Sequence, residues 1–411
     1  MPKILIIAGE PSGDILGAQL IQEMILQHSL ISSTNKGKEV LVNQKSIKEK
    51  EIKFQGIGGP LMKKQGLISL FSIEDLSVMG LTEIIPKLPK IFSIIRRLVE
   101  YVNIWKPDLI ITVDSPDFSI RLVKRLRMVD KFVPIIHYVA PSVWAWRPLR
   151  AKEMAKYYDH ILALLPFEKV FFEKFGISCE FVGHPVSRQK LPNKNQINDF
   201  ISTMNLDISK RIITVLPGSR KKEIYHMLPI FISMVKKLRQ NFDDLEFVIP
   251  TPMNVAKLVK SEIINAKIDV KILTEDEILS EEFKLFKLSL FYSSTIAVAT
   301  SGSVALELAR SSTPMIAAYR SGWLFEKILK RFVKLDSANL INIILNKSVI
   351  PEFLFEKCNS KNIYASVIEL LNDSDLRLRQ KEAEREVINI LIGKQNRPSE
   401  TAAKSVLSFI T

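Results

Sequence analysis

Short apolar runs alternating with helical patterns predict an α/β protein made of two doubly wound, Rossmann-like halves. Three observations carry that expectation. Runs such as KILIIA (3–8), DLIITVD (108–114) and RIITVLPG (211–218) are apolar at nearly every position, as strands buried on both faces of a parallel sheet are. Helical stretches lie between such runs, so successive strands read as βαβ units. The alternation lapses once, over the polar stretch SRQKLPNKNQINDFISTMNLDIS (187–209), and then restarts. A chain of 411 residues also exceeds what one ordinary core holds.

Taken in order, KILIIA opens the first half and a helix follows over about 14–26. The lysine-rich stretch 33–53 reads as a mobile surface insertion. Strands are expected at 54–59, 108–114, 133–139 and 160–166, then at 211–220, 245–251, 269–274, 295–303 and 314–320. The predicted domains are 1–190 and 205–375, with 187–209 as linker and 376–411 as a mainly helical tail. In such sheets ligands bind outside the carboxyl ends of the strands, so the turns after the strands are where chemistry is sought.

Composition narrows the partners. A net charge of +14 and a pI near 9.5 favour anionic partners: phosphorylated substrates, an acidic membrane surface or nucleic acid. A solvated lysine surface is the plainer reading, and no nucleic-acid motif is present. Cys179 and Cys358 have neither metal nor disulfide spacing, which fits a reducing compartment. No apolar run is long enough to span a bilayer, so contact with lipid is expected at the membrane surface.

Several turns contain candidate residues. In AGEPSGD (8–14), Gly9 and Gly13 permit tight geometry, Ser12 and Asp14 suit helix capping, and Glu10 with Asp14 repels phosphate. That turn suits a hydroxyl-rich ligand, or is purely structural. In ITVDSPDFSIRL (111–122), Asp114 and Asp117 follow a strand, where acids serve either capping or catalysis. LPGSRKKE (216–223) places Gly218, Ser219 and Arg220 at a helix start, a diphosphate site or simply a capped helix. ATSGSVALELA (299–309) repeats the arrangement with Gly302 and Ser303, and Glu307 suits the hydroxyls of a ribose unless it is only solvated. HYVAPSVWAWRPLR (137–150) gathers His137, Tyr138, Trp144, Trp146, Arg147 and Arg150 as a candidate ligand wall, although a lone strand-end histidine is more often structural than a base.

The stretch 75–100 interleaves Ile84, Ile85, Leu88, Ile91 and Phe92 with Lys87, Lys90, Arg96 and Arg97. Pro86 and Pro89 are predicted to break any single long helix there. A basic, apolar surface of this kind suits an acyl chain with an anionic headgroup, and ordinary core packing is the alternative. Asp373 in DSD (373–375) reads as a helix cap, and no metal site is expected.

Together these residues resemble the lipid-A-disaccharide synthase family of bacterial glycosyltransferases. The resemblance rests on AGEPSGDILGA (8–18), GIGGPLM (56–62), VMGLTE (78–83), VDSPDF (113–118), HYVAPSVWAWR (137–147), LPFE (165–168), FVGHP (181–185), LPGSR (216–220), TSGSVALE (300–307) and PMIAAYR (314–320). It implies the GT-B fold, two Rossmann-like domains around a cleft with C-terminal helices crossing back to the N-terminal domain. The implied reaction joins UDP-2,3-diacylglucosamine to 2,3-diacylglucosamine 1-phosphate (lipid X), giving the β-1,6-linked disaccharide 1-phosphate and UDP. No metal or other cofactor is implied. The implied location is the cytoplasmic face of the inner membrane, and a homodimer is compatible with the family.

By resemblance Asp114 is the general base. Gly218, Ser219, Arg220, Gly302, Ser303, Glu307, Tyr319 and Asn342 serve the donor. Glu10, Ser12, Gly13, Asp14, Ser142, Trp144, Trp146 and Arg147 serve the acceptor. Phe355 stands where the family has a glutamine closing its PELLQ motif, which puts that donor contact in doubt. Another GT-B enzyme of UDP-sugars, an epimerase or a muramyl-type transferase, is the rival reading. The tryptophan motif and the basic, apolar stretch argue against it.

Overall fold

The computed structural model describes residues 1–34, 52–76, 81–145, 147–322, 326, 337–393 and 397–410. The chain divides into two units, 1–185 with 391–411, and 186–390.

The first unit is a seven-stranded sheet with helices between its strands. In chain order it runs β1 (Lys3–Ala8), α1 (Pro11–Thr34), β2 (Lys53–Ile57), α2 (Pro60–Lys64), β3 (Ile68–Phe71), α3 (Leu81–Trp105), β4 (Leu109–Val113) and α4 (Pro116–Val129). It continues with β5 (Ile135–Tyr138), α5 (Leu149–Met154), β6 (His160–Ala163), α6 (Lys169–Glu173) and β7 (Ser178–Phe181). The strand order is β3-β2-β1-β4-β5-β6-β7, and every pairing is parallel. Ile4, Leu5, Ile6, Leu109, Ile110 and Ile111 are fully buried, because helices cover both faces of the central strands.

The second unit holds α7 (Lys194–Thr203), β8 (Arg211–Leu216), α8 (Lys221–Asn241), β9 (Leu245–Thr251), α9 (Met253–Ala266), β10 (Lys271–Thr274) and α10 (Ser280–Ser293). Then come β11 (Ile296–Thr300), α11 (Val304–Arg310), β12 (Met315–Tyr319), α12 (Leu340–Leu345), β13 (Glu352–Leu354), α13 (Ser360–Asn372) and α14 (Ser374–Ile392). Its six parallel strands run β10-β9-β8-β11-β12-β13. Both sheets therefore share the Rossmann order, reversing direction beside the first strand of each.

The last helix, α15 (Pro398–Leu407), returns to the first unit and lies along α1. Ala402, Ala403, Val406 and Leu407 join the first core.

Four expectations need correction. The domain limits placed at 190, 205 and 375 fall instead at 185/186 and 390/391. The tail from 376 is not one body with α15: Gln380 of α14 is buried, and its amide oxygen accepts from the Met315 N–H in the second sheet. The stretch 187–209 is not an open linker. It contains α7, started by a reciprocal Asn193–Gln196 capping box and anchored where Phe200 meets Phe286 edge-on at 5.7 Å. Nor do Pro86 and Pro89 break α3, which is one helix over Leu81–Trp105. Both prolines lie past its first turn, so each removes one backbone bond, and the burial of Ile94, Ile95, Leu98 and Val102 holds the helix together. Most of the lysine-rich stretch, 35–51, lies outside the described residues.

Val406→Asp would put a charge on a fully buried face of α15, at an expected cost of about 3 kcal/mol or more. Urea unfolding of the full chain measures it; an unchanged midpoint would mean that α15 does not support the first core.

Candidate functional site

In the first sheet, direction reverses between β1 and β4, which pair side by side with Ala8 opposite Val113. The loops after these two strands therefore meet. Gly9 touches Ser115 so closely that a Cβ on it would lie 2.7 Å from Ser115 Oγ. Asp114 and Ser115 both adopt left-handed backbone, φ 56° and 46°, a sparsely populated state that collects at functional sites. The bend is held by neighbours: the Asp114 N–H donates to the Tyr138 carbonyl at 2.9 Å, and the Ser119 hydroxyl donates to the Asp114 carbonyl at 3.0 Å. The half-buried Asp114 carboxylate accepts from Ser12 Oγ–H at 2.9 Å and from the Ser115 N–H at 2.8 Å. A serine after β1 thus orients an acid after β4, directly across the reversal.

Other candidates of the first unit take different places. Asp14 is 4% exposed. Its carboxylate accepts from the N–H groups of Gly59, Leu61 and Met62 at 2.8, 3.0 and 3.0 Å, so it caps α2 and has no spare face for an acceptor. Asp117, expected to orient or cap, is exposed and pairs with Arg150 at 2.5 Å and Arg147 at 3.3 Å. That pairing fixes the start of α5, and Arg147 itself bends into left-handed backbone, φ 54°. Glu10, Ser12 and Ser142 are exposed, whereas Gly13 is buried against Val113. Trp146 lies outside the described residues.

His137 is fully buried, its Nδ1 2.7 Å from Thr112 Oγ1. Burial first, then the charge of Arg150, pushes its pKa down to about 3. That keeps the imidazole neutral, with no face open to solvent. Trp144 is half-buried, and its indole N–H donates to Glu168 at 3.2 Å. Sequence reasoning passed over Glu168, although LPFE ends on it; a lone acid just after a buried strand was the available signal.

On α3, the side chains of Ile84 and Ile85 lie outside the described residues, and Ile91 is 8% exposed, in the core rather than toward lipid. Leu88 is half-buried. Phe92 is 43% exposed with the Arg125 guanidinium 5.4 Å from its ring centre. Among the described candidates, Phe92 alone keeps the expected apolar and basic surface. Among the described residues no helix is long and apolar enough to cross a membrane.

In the second unit the reversal falls between β8 and β11, and both glycine-serine turns follow these strands. Gly218 has φ 117°, and a Cβ there would lie 2.6 Å from Glu223 Cβ. The Glu223 carboxylate accepts from the Ser219 and Arg220 N–H groups at 2.9 and 3.2 Å, and from Arg220 Nη1 at 2.9 Å. The backbone donors expected to hold a diphosphate are thus already satisfied by an acid three residues into the helix, at capping-box spacing. The Arg220 side chain remains 78% exposed. Tyr319, at the end of β12, feels both charges; burial first, then Glu223, holds its phenol above the usual range. Gly302 is open around its Cα and Ser303 begins α11.

Two donor candidates are otherwise engaged. Glu307 pairs with Lys287 at 2.7 Å. Asn342 is buried with its amide saturated: the nitrogen donates to Ile350 O and Glu352 Oε1, and the oxygen accepts from the Val349 and Ile350 N–H groups. With two donors and two acceptor positions used, it staples the turn before β13 and has nothing left for a nucleotide. Phe355 has left-handed backbone, φ 54°. Asp373 accepts from the Leu376 N–H at 2.8 Å and caps α14, as its sequence position suggested.

Two parallel Rossmann-order sheets, each with its ligand-competent turns at the reversal, define a GT-B protein. Solved structures share that fold at low identity. They include a UDP-GlcNAc 2-epimerase from Neisseria meningitidis (TM-score 0.59, 12% identity, 96% of this chain and 100% of that one). A glycosyltransferase from Rickettsia africae is similar (TM-score 0.56, 13% identity, 99% and 97%). The family described as lipid-A-disaccharide synthetase matches residues 4–406. The lipid-A-disaccharide synthase of Rhodospirillum centenum is 37% identical over 408 residues, covering 99% of this chain and 94% of its own. The chain belongs to the lipid-A-disaccharide synthase family of glycosyltransferases, which sets aside the epimerase and muramyl-type alternatives.

Two expectations follow. Asp14→Ala would leave three N–H groups at the start of α2 without an acceptor, costing about 2–3 kcal/mol of stability. Urea unfolding measures this, and an unaltered midpoint would return Asp14 to the list of ligand contacts. The second concerns pH. Burial, only partly offset by the N–H donors around it, pushes the Glu168 pKa from 4.5 up to about 8. The folded chain then keeps a proton that the unfolded chain has released. This contribution to stability is fully present below pH 4.5 and is lost as pH rises through about 8. Glu168→Gln should flatten the fall in stability over roughly pH 5–8; the same slope in both proteins would refute the assignment.

Proposed function

We propose that Asp114 is the general base of the transfer that joins UDP-2,3-diacylglucosamine to 2,3-diacylglucosamine 1-phosphate. The observation that carries this reading is the Ser12–Asp114 pair across the strand reversal. A sugar 6-hydroxyl is a weak nucleophile at neutral pH. As its oxygen attacks the anomeric carbon of the donor, the carboxylate takes the hydroxyl proton, and the bond to the UDP oxygen breaks on the opposite face. One base and a departing group on opposite sides invert the anomeric centre, giving the β-1,6 linkage. Positioned proton transfer of this kind contributes about 10²–10⁴-fold.

The leaving diphosphate gains negative charge as its bond breaks. The exposed Arg220 guanidinium supplies a fixed positive charge for it, with the turn at Gly302 and Ser303 beside the neighbouring strand. This reading assigns the reaction no metal. Trp144, Arg147 and Ser142 form the acceptor wall beside Asp114. Exposed Phe92 under Arg125 suits an acyl chain beside an anionic headgroup, consistent with work at the cytoplasmic surface of a membrane.

Asp114→Asn is expected to keep the fold and both KM values while lowering kcat by about 10²–10⁴-fold; Ser12→Ala, which removes one orienting bond, should cost about tenfold or less. Mass spectrometry of the disaccharide 1-phosphate and an assay of released UDP measure both. Near-normal turnover in a folded Asp114→Asn protein would exclude it as the base.

A further inference from the structure

Residues 139–145 and 147–148, between β5 and α5, are tied down on two sides. At their carboxyl end Arg147 pairs with Asp117 of α4 at 3.3 Å. At their centre Trp144 is held by Glu168, which follows β6. Oε1 of Glu168 accepts from the indole N–H at 3.2 Å, and Oε2 accepts from the Leu165 N–H at 3.0 Å. The indole also meets the Phe167 ring edge-on, with centroids 5.2 Å apart and planes at 86°. Glu168 is 3% exposed, so a carboxyl has been taken out of water to make this contact. Such burial is costly and is tolerated only where the group is fully engaged.

The placement gives the contact a consequence. β4, β5 and β6 are consecutive neighbours in one parallel sheet, so the loops after them share one edge. Asp114 ends the first of these strands and is bonded to Tyr138, the last residue of the second. Val139 begins the tryptophan loop with φ 80°, and its N–H reaches back to Leu162 of β6 at 3.0 Å. One backbone ladder therefore sets where Asp114 lies, and the buried acid sets where the indole lies relative to it.

We propose that Glu168 is a positioning residue for the acceptor: its buried carboxyl fixes the Trp144 indole, and with it residues 139–145, on the sheet edge that also holds Asp114. It touches no reacting atom and acts through Trp144. This rests on the reading of that loop as the acceptor wall.

The test uses the full chain with UDP-2,3-diacylglucosamine and 2,3-diacylglucosamine 1-phosphate, comparing wild type, Glu168→Leu, Trp144→Phe and the double variant; Glu168→Leu removes both acceptor oxygens, whereas a glutamine would keep one. Trp144→Phe keeps a ring but removes the indole donor. Each single change should raise the acceptor KM on the order of 3- to 10-fold, leaving kcat and the donor KM within about twofold. The double variant should be no worse than the worse single, because both remove the same bond. Lowered thermal stability with an unchanged acceptor KM, additive losses in the double variant, or an equal rise in donor KM would each overturn the proposal. If Glu168→Leu does not fold, Trp144→Phe decides alone, since it leaves Glu168 in place. A wild-type chain that makes no disaccharide would sink the acceptor reading itself, an outcome seen before any substitution is compared.

Discussion

The lateral pairing of β1 with β4, and of β8 with β11, is the constraint on which the functional geometry depends. In each sheet the chain first adds strands on one side of its opening strand and then crosses to the other side. The helices after the two central strands must leave to opposite faces, and a crevice opens where they part. Ser12 and Asp114, 102 positions apart, come within 2.9 Å only because of that crossing. The same crossing sets the LPGSR turn beside the TSGS turn in the second unit.

Local chemistry then spends most of the polar groups at these edges on holding the edges together. Asp14 closes α2, Asp117 holds two arginines, Glu223 satisfies its own helix start, and Asn342 ties down the turn before β13. Buried Asp14 and Asn342 each have several donors or acceptors around them, as burial demands. What remains open to a ligand is a short set: the Asp114 carboxylate beside Ser12, the Arg220 guanidinium, and the exposed turns at Ser142 and Gly302. Family membership states what reaction is run; the hydrogen bonds separate the side chains available for it from those that build its frame.

The central strands and most of the turns were legible because their signals are local. Ile4 to Ala8, Leu109 to Val113 and Ile296 to Thr300 lie in continuous apolar runs, which a strand covered on both faces requires. β3, β7 and β13 were missed. They are edge strands of three or four residues with few fully buried positions, so they lack that signature. α7 hid inside a polar stretch because a single buried phenylalanine and a capping box anchor it. The proline prediction failed on α3 because the burial of Ile94, Ile95, Leu98 and Val102 outweighs the backbone bond that each proline removes.

The sequence by itself determined the alternating α/β order, the strand-to-helix turns that hold Asp114 and Arg220, and the family. Those are properties of short segments: burial period, turn residues and motif spelling. Tertiary structure decided which of the polar groups keep an exposed face. Asp14 and Asn342 look no different from Asp114 or Arg220 in the sequence, because a carboxylate or amide carries no mark of its partners, whereas Glu223 shows its role there through its capping-box spacing. Those partners lie 45 to 48 residues from Asp14 and seven to ten from Asn342, and only the folded backbone brings their N–H and C=O groups to the side chain.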